Sequence, residues 1–295
     1  MDCFATPTAN TRRNAWCWVL MILSAVAFEV RSMPASTVPV ERGALSEWIM
    51  TYYQHPQPDQ FVEMVKNMVV IGVMRTQRPD SNVMFLGKLM AQHPAKVAGW
   101  LDALAFLKDV EPKDAVVLYR AAWYSGTAEA KAWLAAHGEK GLADAEPPPL
   151  LSNKPMAFEA HHLDMLWEWF FASGEEAPVR RIISFFRLAA APPPPDSLDL
   201  PRAPAKTGDR IADSIAAVNA SVAYAAVWST TSLAATHERV FEILKKEGET
   251  RSVDPMQRAW LQQAIKVATV NRRAPQPVRS AAPGPKPSAT KAPAR

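Results

Sequence analysis

The chain has only two cysteines, Cys3 and Cys17, and both fall within its first 17 positions. A body lying beyond them has no thiol, which excludes disulfide staples, a cysteine nucleophile, iron–sulfur ligation and thiolate zinc sites. Glycine is scarce as well, at 11 residues. Neither G-x-G-x-x-G nor G-x-x-x-x-G-K-[ST] occurs, so dinucleotide and phosphate-loop binding lack their backbone cradle. G-x-S-x-G is also missing, and with it the strained turn that exposes a nucleophilic serine. His237-Glu238 begins an H-E-x-x-H pattern, but Phe241 stands where the second histidine is required. Period-two alternation of apolar and polar residues is almost absent, so strands are not expected.

What is present begins with an export signal. Arg12 and Arg13 precede a largely apolar, uncharged run from Ala15 to Phe28, and Ala25-Val26-Ala27 supplies the small-x-small pattern of a signal-peptidase site. The run is 14 residues long, short of the roughly 20 that a helix needs to cross the hydrocarbon core. Residues 1–27 are therefore expected to be a cleaved signal peptide, giving a periplasmic or secreted protein. The bulky Trp16 and Trp18 leave an uncleaved inner-membrane anchor as the rival reading. The twin-arginine pattern is only partial, because Ala15 stands where Phe or Leu is usual.

Charge is unevenly placed. The chain carries a formal +4 and a pI near 9.1, yet Arg272, Arg273, Arg279, Lys286, Lys291 and Arg295 put +6 on the last 24 residues. Removing residues 1–27 takes the chain to +3, so the body before that tail is −3. A mildly acidic body gives no electrostatic case for a nucleic-acid partner. The tail, residues 271–295, has six prolines, no aromatic residue and no Leu or Ile. It is expected to be disordered, with weak contact to an anionic envelope surface.

From residue 43 onward, apolar positions recur at helical spacing. Leu45, Trp48, Ile49 and Tyr52 form one face; Phe61, Val65, Met68 and Val69 the next. Val83, Leu86, Leu89 and Met90 follow, then Val97, Trp100, Leu101 and Leu104. Val116, Tyr119 and Trp123 precede Ala130, Trp133 and Leu134, and the clearest face is Phe158, His162, Met165, Leu166, Trp169 and Phe170. Proline and glycine punctuate these faces at Pro56, Pro58, Pro79, Pro94, Pro112, Gly126, Gly138 and Gly174, which implies short turns and antiparallel neighbours. The expected fold is all-α: an irregular array of antiparallel helical hairpins over 43–190, either a tetratricopeptide- or HEAT-like solenoid or a helical bundle. Two proline-rich breaks divide the body, one near Glu146–Pro155 and one from Pro192 to Gly208, and after the second comes another helical segment, 208–270, packed on or beside the array. Within that segment Ser214 to Thr236 is an uncharged run of 23 residues. Its many Ser and Thr argue against a membrane span, and Ile211, Ile215, Val218 and Val222 are expected to face the core.

Two local echoes accompany this pattern. Gln54-His55-Pro56 recurs as Gln92-His93-Pro94, and an aromatic pair precedes a Ser-Gly turn at Trp123-Tyr124-Ser125-Gly126 and again at Phe170-Phe171-Ala172-Ser173-Gly174. The spacings, 38 and 48, differ, so no regular repeat is expected. With the Tyr52–Pro58 segment, the Trp123–Thr127 turn and the Leu163–Gly174 helix together, the region 43–190 resembles uncharacterised exported helical proteins of proteobacteria. That resemblance implies no activity.

Candidate chemistry is confined to one helix. His161, Asp164 and Glu168, at i, i+3 and i+7, place a nitrogen and two carboxylates on one side, a set that a zinc or manganese ion could accept in a metal-assisted enzyme. The same spacing describes an ordinary solvated stripe, which is the expectation taken. Trp167 and Phe171 make a second apolar side on this helix, so it is either sandwiched between neighbours or lines a groove. Arg180 and Arg187 on the next helix would rim such a groove. No cofactor is expected. The leading function is an exported scaffold that presents a surface to another protein or peptide in the cell envelope.

Overall fold

In the computed structural model the described residues are 42–75, 79–105, 112–151, 160–194 and 206–273. The expected signal peptide, the chain after Arg273 and Phe158 lie outside them. The described residues form one compact unit. Twelve α-helices and no strand occur among the described residues, in agreement with the all-α expectation.

The helices begin where the sequence breaks. Helix α1 (Arg42–Thr51) runs into a 3-10 turn at Tyr52–Gln54, and a second turn at Pro58–Gln60 leads into α2 (Phe61–Ile71). Pro79, Pro94 and Pro112 stand first in α3 (Pro79–Gln92), α4 (Pro94–Ala105) and α5 (Pro112–Ser125). A proline loses nothing there, since the first N–H of a helix has no internal partner. Thr127 caps α6 (Ala128–Ala136) by accepting from Ala130 N at 3.1 Å. The short α7 (Lys140–Asp144) follows, and then α8 (Ala160–Ser173) and α9 (Glu176–Ser184), which a 3-10 turn at Phe185–Leu188 extends. Helix α10 (Arg210–Thr236) is the longest, and α11 (Glu238–Glu249) and α12 (Pro255–Arg273) complete the chain. Arg272 and Arg273 thus belong to the last turn of α12 rather than to a tail.

Packing radiates from α3. Its Phe85, Leu86, Leu89 and Met90 are all fully buried, against α5 on one side and α8 on the other. The approach to α5 is close because both surfaces are small: a Cβ on Gly87 would lie 2.8 Å from Ala121 O and 3.1 Å from Tyr124 Cβ. This corrects the expected face of α5. Val117, Leu118, Ala121 and Ala122 are buried, whereas Val116 is 53 % exposed. Large residues drew the periodicity, but the small ones carry the contact. Around this centre Phe61 of α2 stacks on Trp100 of α4 at 4.2 Å. Trp48 and Tyr52 meet Phe85 edge-on at 5.5 and 5.8 Å.

The contact between α3 and α8 joins helices far apart in sequence, which gives this region the character of a bundle. The sequence echoes mark only helix boundaries. Gln54-His55-Pro56 closes a 3-10 turn, while Gln92-His93-Pro94 joins α3 to α4. Both Ser-Gly motifs end helices at a left-handed glycine, Gly126 with φ 66° and Gly174 with φ 70°.

The carboxyl-terminal helices close on the other side of α8. Helix α10 packs on α12, on α11, on α9 and on the Phe185–Leu188 turn. The carboxyl ends of α10 and α12 lie together, because Arg272 donates to Ala234 O at 2.9 Å. An ionic seam joins α9 to α11. Glu176 Oε2 accepts from Arg180 at 2.7 Å and Lys246 at 3.1 Å, Glu176 Oε1 accepts from Arg239 at 2.8 Å, and Arg180 also reaches Glu247 at 3.0 Å.

Candidate functional site

Helix α8 holds most of the residues singled out from the sequence. Among the described residues no group of three His, Cys, Asp or Glu is placed to hold a metal ion, so His161, Asp164 and Glu168 form no such centre. His161, Asp164 and Glu168 are each half-buried, and Glu168 departs from a solvated stripe. Glu168 Oε2 is sealed from solvent and has no hydrogen-bond partner. Burial, reinforced by the neighbouring Asp164 carboxylate, pushes the Glu168 carboxyl up to about 8. The acid is therefore neutral at pH 7, a poor ligand for a divalent cation.

The groove reading of Trp167 and Phe171 is also corrected. Both are buried, at 5 % and 6 % exposure. Trp167 Nε1 donates to Ser229 Oγ on α10 at 3.0 Å, and the two rings stack 6.2 Å apart. This is the sandwich alternative, with α8 between α3 and α10. Arg180 is spent in the α9–α11 seam, and Arg187 is exposed without rimming a groove made by Trp167 and Phe171. Trp169, placed with the core by its spacing, is only partly buried. Its Nε1 donates to Glu175 at 3.1 Å, and the Lys88 ammonium lies 3.4 Å from its ring centroid.

The largest discrepancy between sequence and structure is on α10. From Arg210 to Asn219 no residue is buried. Ile211, Ile215 and Val218 are 74 %, 57 % and 48 % exposed, whereas Val222, one turn further, is 2 % exposed. The face was read correctly, but the body ends before it does. Helix α12 has 19 residues and α10 has 27. With their carboxyl ends together, the first turns of α10 run on without α12 beside them, a projection about 15 Å long. The amino terminus of this projection is well formed. Asp209 accepts from Ile211 N and Ala212 N, and Asp213 accepts from Thr207 N, Thr207 Oγ1 and Gly208 N. Both acids are thereby engaged, while Arg210 makes no ion pair to a described residue. An open hollow of about 710 Å³ lies beside the stripe, lined by Asp209, Arg210, Ile211, Ser214 and Ile215.

Covering a Val or Ile side chain fully is worth about 1.5–3 kcal/mol. Three side chains at these exposures amount to roughly 3–5 kcal/mol, against an association cost of about 4–15 kcal/mol. The stripe therefore contributes to a complex without sustaining one alone. Helix α10 is also long and apolar enough to cross a membrane, with a mean hydropathy of 1.3 over its most apolar stretch. Its second half, however, from Ala220 to Ala234, is packed against the rest of the protein.

A second grouping was not foreseen. His237, dismissed with the broken H-E-x-x-H pattern, is 7 % exposed at the corner between α10 and α11. Its Nδ1 lies 3.4 Å from the Tyr53 hydroxyl, which also accepts from Gln54 Nε2 at 2.8 Å. No local sequence signal joins residues 184 positions apart. No known protein family, curated protein or solved structure matches the chain.

Proposed function

We propose that this protein is an exported helical scaffold that docks a helix of another protein along the projecting first turns of α10. The observation that carries this reading is the exposure of Ile211, Ile215 and Val218 in line with a stripe that the same helix buries further on. The partner segment would continue the course of α12. It would offer an apolar face to the stripe and an acidic residue to Arg210, which makes no ion pair to a described residue of its own chain. The uncharged surface from Ser214 onward disfavours nucleic acid as a partner, because phosphate recognition needs clustered cations. Export rests on the Arg12-Arg13, apolar-run and Ala25-Val26-Ala27 arrangement. The basic residues beyond α12 would touch anionic envelope surfaces only weakly.

Two measurements test the proposal. Amino-terminal sequencing of protein recovered from the periplasm should find a chain that starts after Ala27, and a membrane-bound chain that starts at Met1 indicates the anchor instead. A photo-cross-linking residue at position 215 should trap a partner whose linked peptide, mapped by mass spectrometry, is an apolar-faced helix. The same residue at exposed position 116 should not. Equal trapping at both positions, or survival of the position-215 adduct with Val218→Asp, removes the docking reading.

A further inference from the structure

We propose that the Tyr53–His237 contact is an acid-released latch that ties the α10–α11 corner to the turn at residues 52–54. The contact is sequestered. His237 is 7 % exposed, its ring centroid lies 5.6 Å from Phe171 and 6.3 Å from Tyr53, and Tyr53 in turn packs 4.8 Å from Phe170. Tyr53 is held from below by Gly174, where an added Cβ would come within 3.1 Å of its ring. The His237 backbone is also a joint. Its N–H donates to Leu233 O at 2.7 Å and its carbonyl accepts from Phe241 N at 3.2 Å, so it closes α10 and opens α11.

No group around the imidazole is arranged to receive a positive charge. Helix α10 has no charged residue from Ser214 to Thr236, and α8 turns the Phe171 ring toward the site. The 52–54 turn offers the Tyr53 phenol, which burial holds in its protonated form above the usual tyrosine value. On α11, Arg239 adds like charge and Glu238 is bound by Arg272 of α12. On α9, Glu176 is already shared by Arg180, Arg239 and Lys246. Burial accordingly holds the imidazole below its ordinary value. Once protonated, His237 gains solvation only by swinging outward. That motion breaks the hydroxyl contact and disturbs both backbone bonds at the corner.

The sign follows from linkage. The unfolded chain takes up this proton near 6.5 and the folded chain at a lower pH, so the contribution of the latch is complete above 6.5 and is lost as pH falls below it. The test uses the full chain. Hydrogen exchange at 51–55 and 233–241, corrected for intrinsic rates, is followed from pH 7.5 to 5 in the wild type and in His237→Gln. Relative to His237→Gln, both segments of the wild type should lose protection together, by up to about tenfold per pH unit below 6.5, because every other titrating group, Glu168 included, is common to the two proteins. Parallel profiles in the two proteins overturn the latch. Wild-type protection that rises with acid relative to His237→Gln also overturns it, since the aromatic faces would then be welcoming the cation. If His237→Gln does not fold, an NMR titration of His237 in the wild type decides: a midpoint at or above 6.5 refutes the proposal. Tyr53→Phe should uncouple the two segments, and coupling that survives it counts against the latch.

Discussion

Replacing Glu168 by glutamine should make the protein more stable, and increasingly so as pH rises. The wild-type carboxyl is kept protonated by its sealed position up to about pH 8, whereas in the unfolded chain it ionises near 4.5. Between those values the folded state holds one more proton than the unfolded state, so stability falls by about 1.4 kcal/mol per pH unit. By pH 7 the wild type has lost roughly 3 kcal/mol relative to the acid end of this window, and at pH 8 roughly 5 kcal/mol. These are upper figures, because water entering beside Oε2 would lessen the penalty. Glutamine keeps the shape and cannot ionise. Urea unfolding at pH 5, 6, 7, 8 and 9 should therefore give two curves that coincide near pH 5 and diverge above it. Every other titrating group, His237 included, is common to both proteins and cancels in the difference. A constant offset between the curves would refute the reasoning and place Glu168 in contact with water or an unseen donor.

Other substitutions probe separate parts of the fold. Phe170→Ala, at a fully buried position, should cost about 3–5 kcal/mol by denaturant unfolding, whereas Val116→Ala should stay within about 0.5 kcal/mol. Gly87→Ala should force α3 and α5 apart and lower stability by about 1–3 kcal/mol, and a neutral result would show that Tyr124 and the Ala121 carbonyl move aside freely. Val218→Asp should leave the melting temperature unchanged while abolishing cross-linking from position 215 on the α10 projection. A drop of many degrees would mean that the stripe is covered within the chain.

Much of the helical framework was legible because proline and glycine act locally. Pro94 and Pro112 start helices, and Gly126, Gly138 and Gly174 end segments with positive φ, each for reasons contained within a few residues. The faces of α2, α3 and α4 were legible too, since large apolar residues there coincide with the contacts. Helix α5 was misread because its contact with α3 is made by Ala121, Ala122 and Gly87, which a search for bulk passes over. Glu168 was misread because spacing gives a residue's angular position on its helix but not what lies opposite. Ile211, Ile215 and Val218 were misread for a different reason: periodicity reveals a face, while burial depends on whether another element reaches that far. The one available hint was length, 27 residues in α10 against 19 in α12, and it becomes informative only once the two are known to end together.

The seam between α9 and α11 carries an asymmetry in what it can tolerate. Three cations, Arg180, Arg239 and Lys246, converge on the single carboxylate of Glu176. Deleting any one of them leaves the acid with two partners, so each change should be nearly silent, as partly exposed pairs usually are. Deleting the acid leaves three like charges near one another at the seam, of which Arg180 keeps Glu247, Arg239 keeps the longer contact to Glu242, and Lys246 loses the acid it pairs with. Sequence drift should thus be permissive at the three basic positions taken singly and restrictive at position 176. The seam would accept compensating changes only in one order, with at least one cation lost before the acid.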